Sequence, residues 1–316
     1  MNVCGKDVQI EGRLIRTARL VADGYEFFEH PTAALEHVRS VDTRIDVFTF
    51  MQRLPETQPK YDFPMEWDNV AALAVSTFDH WWERQINAKV RNMVRLAEKR
   101  GTTVRTVPFD DALVQGISAI YNESPFRRGR HFHHYGKDVE SVRRENGTFL
   151  ERSVFLGAFF GERLIGFAKL VSDETRAQAG LMQFLVMIGH RDKAPANALI
   201  AEAVRSCAAR GIPYLVYSQF AYGKKQQDSL SDFKAYNGFR KIDLPRYYVP
   251  LTAIGRLAIR AGLHHPWPDR IPESVVARLR TLRSAWYTRG RKLSEDTHMD
   301  RHLETRKSPA SSRELG

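Results

Sequence analysis

The stretch from residue 153 to 251 constrains the fold more than any other, because its hydrophobic pattern switches between a strand period and a helix period in a fixed order. The run SVFLGAFFGERLIGFAKLVS reads as a hairpin turning at Gly161-Glu162, and AGLMQFLVM as an apolar strand. PANALIAEAVRSCAARG follows as a helix closed by Gly211, the residue that most easily takes a left-handed cap. A strand (PYLVYSQF), a helix (SLSDFKAYNGF) and a last strand (RYYVPL) complete the series. Hairpin, strand, loop, helix, strand, helix, strand is an order that splays two parallel strands apart. Ligands of α/β sheets bind at such a discontinuity. The expected fold class is α/β with a mixed sheet.

Upstream, residues 13–28 read as two extended segments around Asp23-Gly24, and a short helix spans 32–38. RIDVFTFMQRL alternates like a half-buried strand. Residues 55–68 carry three prolines and little pattern, so a loop is expected there, leading into a helical stretch from Asp68. Residues 78–100 place Phe78, Trp82, Ile86, Val90, Met93 and Ala97 at helical steps with Gly101 behind them, which predicts one long amphipathic helix. A strand at 103–107, a helix at 110–122 and a second helix at 139–144 come next. The expected organisation is a small N-terminal mixed α/β lobe (1–66), a main domain (67–252), basic amphipathic helices (253–290) and a disordered polar tail (291–316).

The formal net charge of +11 favours an anionic partner, whether CoA, RNA, phospholipid or a phosphorylated metabolite. Only Cys4 and Cys207 occur, in no metal-ligand or CxxC spacing, and no secretory leader or membrane-length apolar run is visible, so a reducing cytoplasm is expected.

Three segments carry a family likeness. The loop Gly189-His190-Arg191-Asp192-Lys193-Ala194-Pro195-Ala196-Asn197 stands at a helix start, where backbone N–H groups and the helix dipole favour phosphate. Phe233-Lys234-Ala235-Tyr236-Asn237-Gly238-Phe239 ends the next helix, and Lys89 to Val104 form a basic helix with a glycine turn and a strand. In this order they resemble the acyl-CoA N-acyltransferase (GNAT) superfamily, and most of all its FemAB-like branch, over residues 80–250. The resemblance implies a GNAT-like fold with acyl-CoA as co-substrate and no tightly bound cofactor. It also implies that Arg191, Lys193, Ala194, Ala196 and Asn197 meet the donor phosphates, with Ala194 where the family has its first glycine. Lys234 stands where many members have the tyrosine that protonates the leaving thiolate, and similar Phe-Lys segments occur in the FemAB-like branch. Lys234 and Tyr236 are therefore the candidates for stabilising the oxyanion or protonating the leaving group. Arg91, Arg95 and Lys99 share one helix face and can track phosphates.

The loop from Asn122 to Lys137 is the densest chemical cluster. Arg127, Arg128, Arg130 and His133 suit the grip of an anionic substrate, and Glu123 suits a general base for an attacking amine. No carboxylate or cysteine completes a recognised spacing with its histidines, and adjacent His133 and His134 are expected to point apart, so no metal is expected. Three functions stay open: acyl transfer from acyl-CoA to an amine, aminoacyl transfer from aminoacyl-tRNA, and a non-catalytic module on nucleic acid or an anionic membrane.

Overall fold

The run Val47 to Met51 is buried at every position, which only a strand covered on both faces allows. The computed structural model describes residues 1–127, 129–221 and 229–265. Along the main unit, β1 (Asn2–Val3), β2 (Lys6–Glu11), β3 (Thr17–Leu20), α1 (Pro31–Ser40), β4 (Val47–Met51) and β5 (Met65–Ala74) come first. A short helix α2 (Phe78–His80), a π-turn at Trp81–Gln85, α3 (Ala88–Lys99), β6 (Thr102–Val107) and α4 (Asp111–Tyr121) follow. The strands β7 (Phe126–Arg127) and β8 (Arg130–His131) belong to a second compact unit, of which residues 126–127 and 129–132 are described. The main unit resumes with α5 (Val139–Asn146), β9 (Ser153–Phe160), β10 (Arg163–Ser172), β11 (Ala179–Val186), α6 (Pro195–Ala209) and β12 (Tyr214–Val216). It closes with α7 (Ser229–Tyr236), β13 (Arg240–Pro250) and α8 (Ala253–Arg260).

One sheet of eleven strands joins them in the order β1-β2-β3-β4-β13-β5-β12-β11-β10-β9-β6. Strand β13 pairs with β4 on one side and β5 on the other. The strands of residues 1–66 are therefore continuous with the rest, and the expected boundary at 66/67 falls inside β5. Chain order hid this, because the strand that bridges the two parts is the last one made. β5 also replaces the expected helical stretch from Asp68. Its first half, MEWDN, is polar and lacks the alternation that marks a strand, and its polar residues are held by partners distant in sequence.

Two further expectations are corrected. The expected helix over 78–100 breaks at Ile86 (φ −114°, ψ 152°), and α3 starts afresh where Asn87 Oδ1 accepts from Val90 N at 3.0 Å. The hairpin expected at Asp23-Gly24 lies earlier, between β2 and β3. Asp23 and Glu26 form only an isolated bridge, with Gly24 at φ +89°. The hairpin β9–β10, the helices α4, α6 and α7 and the strand β11 form within the expected segments; β6 and α5 overrun theirs by one or two residues, and β13 begins at Arg240, ahead of the strand expected from Arg246. Of the basic C-terminal helices, α8 is seen; residues 266–290 and the tail lie outside the described residues.

Packing differs across the sheet. Near β4 and β13 an aromatic cluster fills the core, with Phe50 stacked on Tyr247 at 5.0 Å and Tyr61 edge-on to Tyr247 at 5.3 Å. Each such pair adds about 0.5–1.5 kcal/mol beyond the area it buries. On β9–β11 the small buried face of α6 (Ala198, Ala201, Ala203) lets the helix approach closely, with Leu199 and Val204 filling the gaps. The start of α6 also lies against α3, through Ala97, Ala194 and Ala198.

Candidate functional site

The sheet opens between β11 and β12. These parallel strands pair only at Ala179↔Leu215 and Gly180↔Val216, while β11 runs on to Val186 with β10 as its partner. β12 is carried away by its antiparallel pairing with β5. The chain then turns at Ser218, which is held left-handed at φ 49°. Aromatic rings line the split, with Phe184 5.3 Å from Tyr217 and 6.2 Å from Phe233.

At the carboxyl end of β11 the loop winds into a 3₁₀ turn, Ile188–Lys193, and Ala194 takes φ 50° as the N-cap of α6. That left-handed position is where the family pattern carries glycine, and Ala194 adopts it while 3% exposed. No side chain caps α6, and Pro195 opens it, so the first-turn amides of Ala196 and Asn197 take no N-cap side chain. The loop is braced from behind. Arg100 donates to the carbonyl of Asp192, and Thr102 Oγ1 to that of Lys193 at 3.0 Å. Arg191 is exposed. Lys193 lies over the Phe160 ring, 4.7 Å from its centroid, with Asp192 at 3.4 Å.

Glu123 reaches this loop directly. Its Oε2 accepts from Ile188 N at 2.7 Å and its Oε1 from Gly189 N at 2.8 Å. Such charge-assisted bonds are the strong ones, and here they fix the first turn of the loop. This geometry makes Glu123 an anchor of the loop before α6.

Lys234 is wholly buried; its Nζ donates to the carbonyl of Gln219 and sits 4.7 Å above the Tyr217 ring. Tyr236, two residues on, faces the other way, 46% exposed and 5.3 Å from Lys89 Nζ. Asn197 Nδ2 donates to Asn237 Oδ1 at 3.3 Å, and the Asn237 carbonyl accepts from Trp81 Nε1 at 3.0 Å. Two of the segments singled out in the sequence thus meet through an asparagine pair. Of the helix face Arg91, Arg95 and Lys99, only Arg91 is half-buried, and the other two are exposed. Arg91 donates to the carbonyls of Trp82 and Ile86 at 3.0 and 2.7 Å, and Arg95 lies over the Trp82 ring.

His133 and His134, expected to point apart, have ring centroids 3.9 Å from each other, because the chain turns here and does not run on as a strand. His134 stacks on Tyr121 at 4.2 Å. Burial, then His133 and Lys137, push its pKa down to about 4 against the pull of Glu145. Burial pushes Tyr121 up to about 12. Arg127 and Arg130 belong to the second unit, where Arg127 lies over the Phe132 ring at 4.5 Å, and Arg128 lies outside the described residues.

Sequence reasoning missed the cavity beside the split. About 180 Å³ in volume, it is walled by Gly180 and Val216 at the point of splay, by Ser218 and Gln219, and by charged residues from distant segments. Arg246 pairs with Asp23 at 2.9 Å and Asp68 at 3.0 Å, and Asp23 also takes Arg19 at 2.8 Å. The two carboxylates hold the buried Arg246 guanidinium firmly protonated against desolvation. Gln219 Nε2 donates to Asp68 Oδ1 at 3.3 Å, so one residue touches both this network and Lys234. The available signal was Arg246 standing within an expected strand, since a buried charge requires a partner.

No protein-family model matches the sequence, and no curated protein aligns with it. Solved structures do superpose. L-PGS from Bacillus licheniformis matches with a TM-score of 0.54 at 13% identity, over 80% of this chain and 84% of that one. FemX matches at 0.42 and 12% identity over 69% of each chain. A tandem GNAT protein from the clavulanic acid biosynthesis pathway matches at 0.44 and 12%, over 77% of this chain and 78% of that one. The splayed β11–β12 pair, the loop into α6 and the likeness to L-PGS define the fold as GNAT-like. No helix among the described residues is long and apolar enough to cross a membrane.

Proposed function

We propose that this chain is a transferase that moves a polar acyl group, an aminoacyl group in the first place, from a phosphate-bearing donor to an amine. The observation that carries the reading is the cavity at the strand split. Two arginines, two aspartates, Asn69, Gln178 and Gln219 line it beside Tyr25, Met51, Val70, Val216 and Leu244, a wall that offers carboxylates to an ammonium and apolar contacts to the carbon chain that bears it. Its volume, about 180 Å³, fits a side chain rather than a long acyl tail.

The donor's phosphates meet the uncapped first turn of α6, at Ala196 and Asn197, with Arg191 and Lys193 adding charge. Lys234, buried behind the split with its ammonium on the Gln219 carbonyl, is the proposed group that stabilises the oxyanion formed when the amine attacks the acyl carbon. Tyr236, exposed on the far face of α7, is a weaker candidate for acid. Glu123 serves by fixing the loop, and the attacking amine arrives deprotonated or loses its proton to water. Arg127, Arg128, Arg130 and His133 remain the proposed anionic-substrate contacts, and the amine is a small molecule or peptide.

Acyl-CoA is the second donor reading, favoured by the same uncapped helix turn. The carboxylates on the cavity wall, Asp23 and Asp68, favour the aminoacyl donor, because an ammonium pairs with them and a simple acyl group does not. Calorimetric titration separates the two. The aminoacyl reading expects saturable binding of aminoacyl-tRNA at two salt concentrations and no heat with acetyl-CoA or longer acyl-CoAs. Saturable acyl-CoA binding that weakens on Arg191→Ala moves the donor to CoA, and binding of neither removes the transferase reading.

A further inference from the structure

On the strand face that carries Asp68, one strand step along β5, Glu66 meets two histidines from the turn after α8. His264 Nε2 and His265 Nε2 each lie 3.0 Å from the same oxygen, Glu66 Oε1. The three ligand atoms fall within 4.8 Å of one another. The histidines are adjacent in sequence yet converge, because they occupy a turn and their rings sit 4.1 Å apart. Tyr248 fixes both from the side, edge-on at 4.5 Å to His264 and 6.0 Å to His265. The His264 side chain is 1% exposed, and its Nδ1 is buried with no partner, so Nε2 is its working atom. His265 and Glu66, 32% and 44% exposed, keep one side open to solvent.

We infer that Glu66, His264 and His265 form a binding site for a divalent first-row transition metal of the zinc class. Imidazole nitrogen with one carboxylate is a donor set that suits zinc, nickel, copper and iron and disfavours magnesium and calcium. Ligands bound at ~2.1 Å stand roughly 3.0–3.4 Å apart at octahedral to tetrahedral angles. The two nitrogen–oxygen separations match that spacing and the two nitrogens lie within 4.8 Å of each other, so a cation enters by taking the place of the hydrogen-bonding protons as the imidazoles close on it. Two histidines and a glutamate leave a fourth position for water, as in zinc sites that are not closed by the protein. His264 lacks the usual hydrogen bond from its second ring nitrogen, which points to micromolar rather than structural-zinc affinity. Bound metal fastens the turn after α8 to β5, beside the wall of the Asp68 cavity.

The test uses the full-length untagged chain stripped with chelator. Zinc titration by calorimetry is expected to show one equivalent bound at micromolar affinity, and cobalt a visible spectrum that zinc abolishes. His265→Ala and Glu66→Ala are each expected to weaken binding by at least about tenfold and to remove the zinc-induced rise in melting temperature. His265 is the primary variant, because the deeply buried His264 also packs on Tyr248. His133→Ala is expected to leave zinc binding unchanged. Binding that survives both His265→Ala and Glu66→Ala, or that is lost with His133→Ala, overturns the assignment, as does the absence of saturable binding.

Discussion

The two sides of the strand split are built differently. The proposed donor side, from Ile188 to Asn197, is one short continuous segment that offers backbone amides, and the side chains around it act as braces: Glu123 in front, Arg100 and Thr102 behind. The cavity side has no continuous segment at all. Arg19, Asp23, Asp68, Gln219 and Arg246 come from separate strands and turns, and their charges hold one another in place. A backbone site tolerates side-chain change and depends on loop geometry, whereas a charge-paired site fails when one partner is removed. Lys234 touches Gln219 between the two, so its loss bears on both.

That contrast predicts unequal responses. Arg246→Ala leaves Asp23 and Asp68 buried without their cation, and a chemical denaturation midpoint should report a loss of about 3–5 kcal/mol. A loss below 1 kcal/mol would mean that the two carboxylates are already satisfied by Arg19, Gln219 and water. Lys234→Met, which keeps the volume and removes the ammonium, should lower single-turnover transfer by roughly 10²–10³-fold with the fold retained by circular dichroism. An unchanged rate would move the oxyanion contact elsewhere.

The end of α4 should carry an acid limit, because His134 stacks there on Tyr121. His134 titrates near 4 in the fold, below its ordinary value of 6.5, so the unfolded chain binds the extra proton first. Stability is then whole above about pH 6.5 and falls as pH drops towards 4, by up to about 3 kcal/mol. His134→Phe, which keeps a ring against Tyr121, should flatten that slope, whereas a slope that persists assigns it to another group. Among these variants the smallest effect belongs to Glu123→Gln. One backbone bond and the charge are lost, the donor KM rises roughly tenfold, equal to about 1.4 kcal/mol, and kcat stays level. A collapse of kcat with the loss of one limb of its pH profile would restore Glu123 as the general base.

The same contrast explains what could be read in advance. The order of elements over 153–251, the loop at 189–197 and the Lys234 segment are local patterns, and each survives in the fold. The first half of β5 is polar and so reads as loop and helix; Asp68 and Asn69 serve the cavity with partners at 219, 221 and 246, and Glu66 meets His264 and His265. The domain boundary failed for the same reason, since β13 closes the sheet between β4 and β5 from the far end of the chain. Pairings between distant segments leave no spacing to read. Their trace is a charged residue within a strand, as with Arg246.

The central claim is that the polar cavity at the split receives the acyl group of the donor. Filter binding of aminoacyl-tRNA against the same tRNA deacylated, at fixed salt, tests it most directly. The account predicts tighter binding of the aminoacylated form, with the difference abolished by Asp68→Asn and unaffected by Arg191→Ala. Equal affinity for the two forms, or a difference that Asp68→Asn leaves intact, would contradict it.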